Sequence, residues 1–450
     1  MRAVTIGTAL ALAGALLPGA ARAQAQDPGR RCLISLRHAD RTYTAGQDNF
    51  FGGGNVQLFC RGTSIAMRSD SIASYGGQVV EFIGNVRYED SSMVMTADRG
   101  TYRREGERWE ARGNVVTRTA GGSSLRGPAL DYYRAIPGVR DSVEVYATGR
   151  PTIDYVPKDS AGQAQEPYVI VGDRVRMKGE DRLWAGGRVT IDRSDLSASA
   201  DSMRMDTGAG QDGTLVGNAR INGLGKDPFS LAGTRIDLTL EQNDLTYVQA
   251  DGNGKATSTD WVLVADTIGL DVNDRVLEQT VAWGGGIRPH AVSPTYEILA
   301  DSLALDTPGK VLTEARAFGK AFVATGEDST ASERDWLRGD TVTARFGTVP
   351  AGEKEKTLLR RVEAWLEASA FYQVVDAGRP GPPSLNYARG DRIVVTMKAD
   401  SAGGVERVDI QGKVDGVQME PRVAAAPDST ARPDTLPAAA PPPPPAGEMP

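Results

Sequence analysis

Across residues 54–118 apolar and polar positions alternate almost strictly, and glycine interrupts the alternation at regular intervals. A period of two marks a strand with one buried face. The run Val80-Glu81-Phe82-Ile83-Gly84-Asn85-Val86-Arg87-Tyr88 is the clearest copy, and residues 109–117 repeat it around Gly113-Asn114-Val115. Further copies surround Gly187 (185–191), Gly217 (215–221) and Gly412 (408–414). A glycine at the same place in each run predicts a tight bend or a close backbone approach.

A second element lies between these runs: a small residue, then Asp, then alternating apolar positions. It reads Ala97-Asp98-Arg99-Gly100-Thr101-Tyr102, and recurs at Asp173, Asp201, Asp266, Asp301, Asp340 and Asp391, with looser copies at Asp70, Asp131 and Gly233. The spacing is 28 residues from 70 to 98 and from 173 to 201, and 33 from 98 to 131. Each unit therefore reads as two strands joined by sharp corners, in about 30 residues. One such unit cannot bury its own apolar face, but stacked units share a continuous core. The predicted fold is all-β, an elongated, solenoid-like stack of about ten two-strand repeats. At about 4.8 Å per rung ten rungs extend roughly 48 Å. Residues 32–158 form a first lobe and 167–420 continue the stack, with insertion loops at 159–166 and 376–384. From 421 to 450 the chain is Ala/Pro-rich with no apolar period, which predicts a disordered or polyproline-like tail.

Composition narrows the function. Glycine is abundant at 52 residues and aromatics are 6%, which suits a long thin core better than one thick globule. The net charge of −7 gives no electrostatic case for nucleic acid. Arg2, the apolar run 3–17 and Ala21-Arg22-Ala23 form the pattern of a secretory signal peptide at 1–23, cleaved near Ala23. That run is shorter than the roughly 20 residues a bilayer span needs. In an exported chain two cysteines suggest one disulfide. Cys32 and Cys60 lie 28 residues apart, one repeat length, and neighbouring strands bring Cα atoms to about 5 Å, within disulfide reach. The two histidines, His38 and His290, leave little material for a catalytic triad or a zinc site, and no cofactor is expected.

The succession Gly84-Asn85-Val86-Arg87-Tyr88, Met95-Thr96-Ala97-Asp98-Arg99-Gly100-Thr101-Tyr102 and Trp109-Glu110-Ala111-Arg112-Gly113-Asn114-Val115 resembles the OstA-like family. That family comprises the periplasmic lipopolysaccharide-transport proteins LptA and LptC and the N-terminal domain of LptD. Residues 54–118 carry the resemblance most fully, 172–305 repeat it less closely, and beyond 306 only the Asp positions persist. The resemblance implies a twisted, V-shaped β-jellyroll, open along one side, in the periplasm, whose interior holds the acyl chains of lipid A. It also implies two partners, an inner-membrane extraction complex and an outer-membrane insertion complex. Open end strands suit pairing with them, and end-to-end self-association.

Inward positions on the Asp strands are Val175, Met177, Met203, Met205, Ile268, Leu270, Leu303 and Leu305; on the glycine strands they are Phe82, Val86, Tyr88, Val115, Val189 and Ile191. Alternation alone fits either a closed core or a lipid-contacting wall, and the resemblance implies the wall. Flexible methionines suit chains of differing shape. The Asp positions read best as corner residues bonding backbone amides. A calcium ladder needs several Asp and Gly in each short repeat, and catalysis needs one special pair. Arg103, Arg104, Arg108 and Arg112 form a basic cluster that fits lipid phosphates, or a solvated face interleaved with Glu105, Glu107 and Glu110. The expected function is lipopolysaccharide transport without catalysis. Its rivals are a structural surface stalk or adhesin and a polysaccharide-active β-helix enzyme.

Overall fold

The computed structural model describes residues 32–420, apart from 159–161, 209, 225–227, 243, 260, 274–275, 326–332, 352–353, 375–382 and 399–404. The expected signal peptide and tail, and most of the 376–384 insertion, lie outside the described residues. The fold is all-β: twenty-eight strand segments belong to one sheet, and the described residues contain no α-helix. Consecutive strands pair antiparallel. Asn49–Cys60, Ala66–Tyr75, Val79–Glu89, Met93–Arg103, Arg108–Thr119 and Ser124–Tyr133 follow one another in this way. In these units each glycine run and each Asp run is one long strand, and a unit is an antiparallel pair.

Every long strand is bent near its middle. Between the pairs Ile83–Arg99 and Val86–Ala97, the two residues Gly84 and Asn85 oppose the single Asp98. Two residues against one make a β-bulge, which bends the strand. Gly84 and Asn85 both take positive φ, +76° and +48°, a region open to glycine and tolerated by Asn. The Asp70 carboxylate occupies the space a Cβ on Gly84 would need. The register shifts recur in the same place at Gly53/Val56, Arg112/Val115, Gly186/Val189, Val216/Ala219 and Phe318/Ala321. In some rungs the corner breaks the strand outright. Glu144–Thr148 and Thr152–Tyr155 flank one such corner, and Tyr168–Val171 and Arg174–Lys178 the next.

The aligned bends fold the sheet into two walls. Segments before each glycine corner, with their Asp-strand partners, form the first wall; segments after it form the second. Trp109 and Tyr132 of the first wall meet Tyr88 of the second, with ring centroids 5.1 and 5.6 Å apart. The inward residues of both walls form one core running from Cys32 to Ile393.

Two local expectations are corrected. Asp131 is not a corner residue; it pairs with Glu110 inside a strand, and Pro128 fills the corner against Gly149. At Gly233 the corner residue is the following Thr234, whose hydroxyl donates to the Gly252 carbonyl at 3.0 Å. At the amino-terminal edge Cys32 and Cys60 form a disulfide, with Cα atoms 4.9 Å apart. Ile34 pairs opposite Cys60, so the bond ties the start of the first strand to its antiparallel neighbour. Closing this 28-residue separation restricts the unfolded chain enough to stabilise the fold by about 3–4 kcal/mol.

Candidate functional site

The interior between the walls is the apolar compartment of the molecule. In its first third it is filled by large side chains. Trp109, Tyr132, Phe82, Met67 and Met95 are among the largest fully buried residues. The Trp109 ring lies so close over Gly100 that a Cβ there would collide with it. Tyr88 and Tyr132 donate their hydroxyls to Asp90 at 2.8 and 2.7 Å. Burial, joined by the nearby Asp90 charge, pushes both phenols well above their ordinary range.

A buried charge lies beside this aromatic group. Glu107 sits in a one-turn 3-10 segment, Glu105–Glu107, and is 3% exposed. Its carboxylate accepts the Cys32 amide at 2.8 Å and pairs with Arg134 at 3.0 Å. Reading Glu107 as part of a solvated, interleaved face was therefore wrong; its partners lie 75 and 27 residues away. The basic cluster is engaged by acids on the same wall. Arg103 meets Glu110, while Arg108 and Arg112 each meet Asp131 at 2.7 Å.

Of the fourteen residues expected to line a groove, twelve are buried: Phe82, Val86, Tyr88, Val115, Val175, Val189, Ile191, Met203, Ile268, Leu270, Leu303 and Leu305, each at most 7% exposed. Met177 and Met205 are half-buried against the same core. All fourteen face the space between the walls. Rings of the two walls meet at Tyr88, Trp109 and Tyr132, and along the rest of the seam the inward residues are shielded from solvent.

Beyond Tyr155 the character of that seam changes. Among the described residues no fully buried member of this core is aromatic, although Tyr168, Trp261, Phe346 and Tyr372 pack partly buried against it, and alanine recurs, as at Ala198, Ala200, Ala250, Ala265, Ala282, Ala317 and Ala364. Thr280, opposite Leu270 and Leu305, is 1% exposed and its hydroxyl has no partner. Such an orphaned group costs about 1–3 kcal/mol.

Between the two regions the seam opens. A cavity of about 130 Å³ is bounded by Met93, Leu125 and Ile153 on the second wall and Val145 and Met177 on the first, with Ser92, Thr119, Ser124 and Glu180 also lining it. Its size is close to that of the roughly 150 Å³ apolar cavities that stay dry and take up benzene. Alternation marks Met93 and Leu125 as inward residues, but nothing local in the sequence marks the opening.

The Asp positions serve the corners. Asp70, Asp98 and Asp201 accept the side-chain amides of Asn85, Asn114 and Asn218, two strands of one corner held together at 2.8–3.3 Å. Among the described corner aspartates Asp266 alone takes backbone amides, from Gly286 and Ile287; at Asp70, Asp98 and Asp201 the expectation of backbone bonding is corrected to this side-chain clasp, and at Asp173 and Asp301 to an arginine partner. Arg188 replaces Asn at its corner, and its hydrogen bond, with a smaller one from Arg150, holds the Asp173 carboxyl below the ordinary range. His290 meets Glu297 and His38 meets Asp40. Among the described residues no cluster of His, Cys, Asp and Glu could hold a metal ion. No family model matches this chain, and a search of the curated proteins finds no match.

Proposed function

We propose that this protein is a periplasmic lipid carrier of the OstA-like kind, which shelters lipopolysaccharide acyl chains between its two walls and passes them toward the outer membrane. The observation that carries the reading is the continuous apolar seam between two walls hinged on a column of corners, opening beside Met93, Val145, Ile153 and Met177. Each buried acyl CH₂ contributes about 0.8 kcal/mol, so several chains are held without chemistry. In the closed state the walls cover each other; lipid takes the place of that contact when they part. Sugars then project from the rim away from the corners. The end strands Ile34–His38 and Val405–Gln411 have unpaired edges among the described residues, which supports strand pairing with the extraction and insertion complexes or with another copy. No catalytic step belongs to this reading.

The filled interior favours a second reading, a structural stalk with a permanently dry core. Photo-crosslinking separates them. A photoreactive residue at Met177, at the cavity, and another at Met203, within the seam, are introduced in cells making labelled lipopolysaccharide. Lipid carriage predicts an adduct at both sites, the stronger at Met177. No adduct at either, in exported protein with the Cys32–Cys60 bond formed, would leave the stalk standing.

A further inference from the structure

The last strands carry a ring cluster that the core does not use. Phe322, Trp336, Phe371 and Tyr387 lie on neighbouring strands of the second wall, at outward positions. Their inward neighbours Val323, Leu337 and Ala370 belong to the core, whereas none of the four rings does. Trp336 stacks on Phe371 with centroids 6.2 Å apart and meets Tyr387 at 6.1 Å and Phe322 at 6.4 Å. The rings shield one another so well that Phe371 is only 8% exposed, although it faces outward. The Arg338 guanidinium stacks over both Phe322 and Trp336.

This patch runs to the carboxy-terminal edge. The strand Asp415–Met419 pairs with the Leu385–Arg389 stretch, placing Val417 opposite Tyr387 and Met419 opposite Leu385. Val417 and Met419 are 58% and 53% exposed, which extends the apolar surface onto an unpaired edge. Such an edge invites pairing with other chains unless something covers it.

Residues 421–450 continue the chain beyond that strand, and ten of them are Pro. Proline-rich segments dock on aromatic platforms because their backbone is already fixed and loses little freedom. At about 3.1 Å per residue, against about 4.8 Å between strands, about five residues cross the four ring-bearing strands. With Asp428, Asp434 and Glu448 against Arg422 and Arg432 the segment is close to neutral, so its acids can pair with Arg338 and the exposed Arg389 without net repulsion. Attachment directly beside the patch gives the segment an effective concentration in the millimolar range. We propose that residues 421–450 dock along the outer face of the second wall over Phe322, Trp336, Phe371 and Tyr387, and thereby cover the edge strand Asp415–Met419. The segment covers the second-wall half of that end and leaves the Val405–Gln411 edge of the first wall open.

The test uses the full chain with a photoreactive residue at Tyr387 and, as a control, one at Tyr43, which is 67% exposed at the opposite end of the stack. The expected result is a crosslink from position 387 to peptides of 421–450 in the same molecule, unchanged on tenfold dilution, and none from position 43. A product that disappears on dilution shows a second copy on the patch and overturns the proposal. So does a crosslink to any other ligand, or no crosslink in a chain whose disulfide has formed. Fluorescence reads the same contact without a crosslinker. Removing 421–450 should raise acrylamide quenching of Trp336, isolated as the difference from a Trp336→Phe chain, by about twofold; no change overturns the proposal.

Discussion

The first third of the interior and the remainder are built on the same corners but filled differently. From Cys32 to Tyr155 the core includes Phe82, Tyr88, Tyr102, Trp109 and Tyr132, and rings from opposite walls touch. From Ile170 onward the buried core is aliphatic, with alanine at position after position. A large ring reaching across the seam makes dozens of contacts with the facing wall, each worth about 0.1–0.2 kcal/mol. A methyl group makes few. The first region is therefore clamped, by its disulfide and Glu107–Arg134 pair as well as by its rings. The second is packed by aliphatic side chains of mixed size, with rings such as Tyr168, Trp261, Phe346 and Tyr372 only partly buried against it. One column of corners thus joins an aromatic-packed end to a longer aliphatic section, and the lipid-carrier reading requires the walls to part in the latter.

The largest expected effect tests the clamp. Trp109→Ala removes the ring that joins Phe82, Tyr88 and Tyr102. It should destabilise the amino-terminal region by about 3–5 kcal/mol, as for other buried aromatic truncations, measured by urea unfolding. A loss under about 0.5 kcal/mol, the range of ordinary surface changes, would mean that the ring does not hold the walls together.

Much of the fold was legible because alternation and corner residues are local. Val80 to Tyr88 states its own buried face, and Gly84-Asn85 states its own bend. Asp131 misled because the corner on that strand is defined by what packs on Gly149, and a proline fills that space as well as a carboxylate. Glu107 misled for a similar reason: flanking arginines suggest solvent, while burial comes from Cys32 and Arg134, distant in sequence. Inward direction at Met203 or Leu303 is written in the sequence. The distance from one wall to the other is not, so a closed seam and an open groove look alike there.

The alanine-lined region answers to the opposite substitution. Ala282 is fully buried, between Ile268 and Leu303 on the first wall. Ala282→Phe places a ring at a position with no solvent exposure. Overpacking of this kind costs about 1–3 kcal/mol, and the same ring should reduce the lipid adduct at Met203 severalfold. Unchanged unfolding would show that the walls are not in contact at this point. Unchanged stability with a lost adduct would place lipid in a space the closed seam does not fill.

The smallest effect concerns the hinge itself, and here the far end differs from the first units. At the corner facing Asp340 and Asp391, Leu366 and Glu367 stand where other units have Gly-Asn, and both take positive φ, +59° and +53°. A left-handed conformation costs an ordinary L residue about 1–2 kcal/mol. Leu366 is also 61% exposed, so its side chain recovers little by burial. Leu366→Gly with Glu367→Asn should therefore stabilise the carboxy-terminal units by about 1 kcal/mol, read as a higher urea midpoint at an unchanged slope. The new Asn amide lies one strand from Asp340, the arrangement that joins Asn85 to Asp70 and Asn114 to Asp98. A lower midpoint would show that the exposed leucine makes contacts that outweigh its backbone strain, and that this corner is not equivalent to the others.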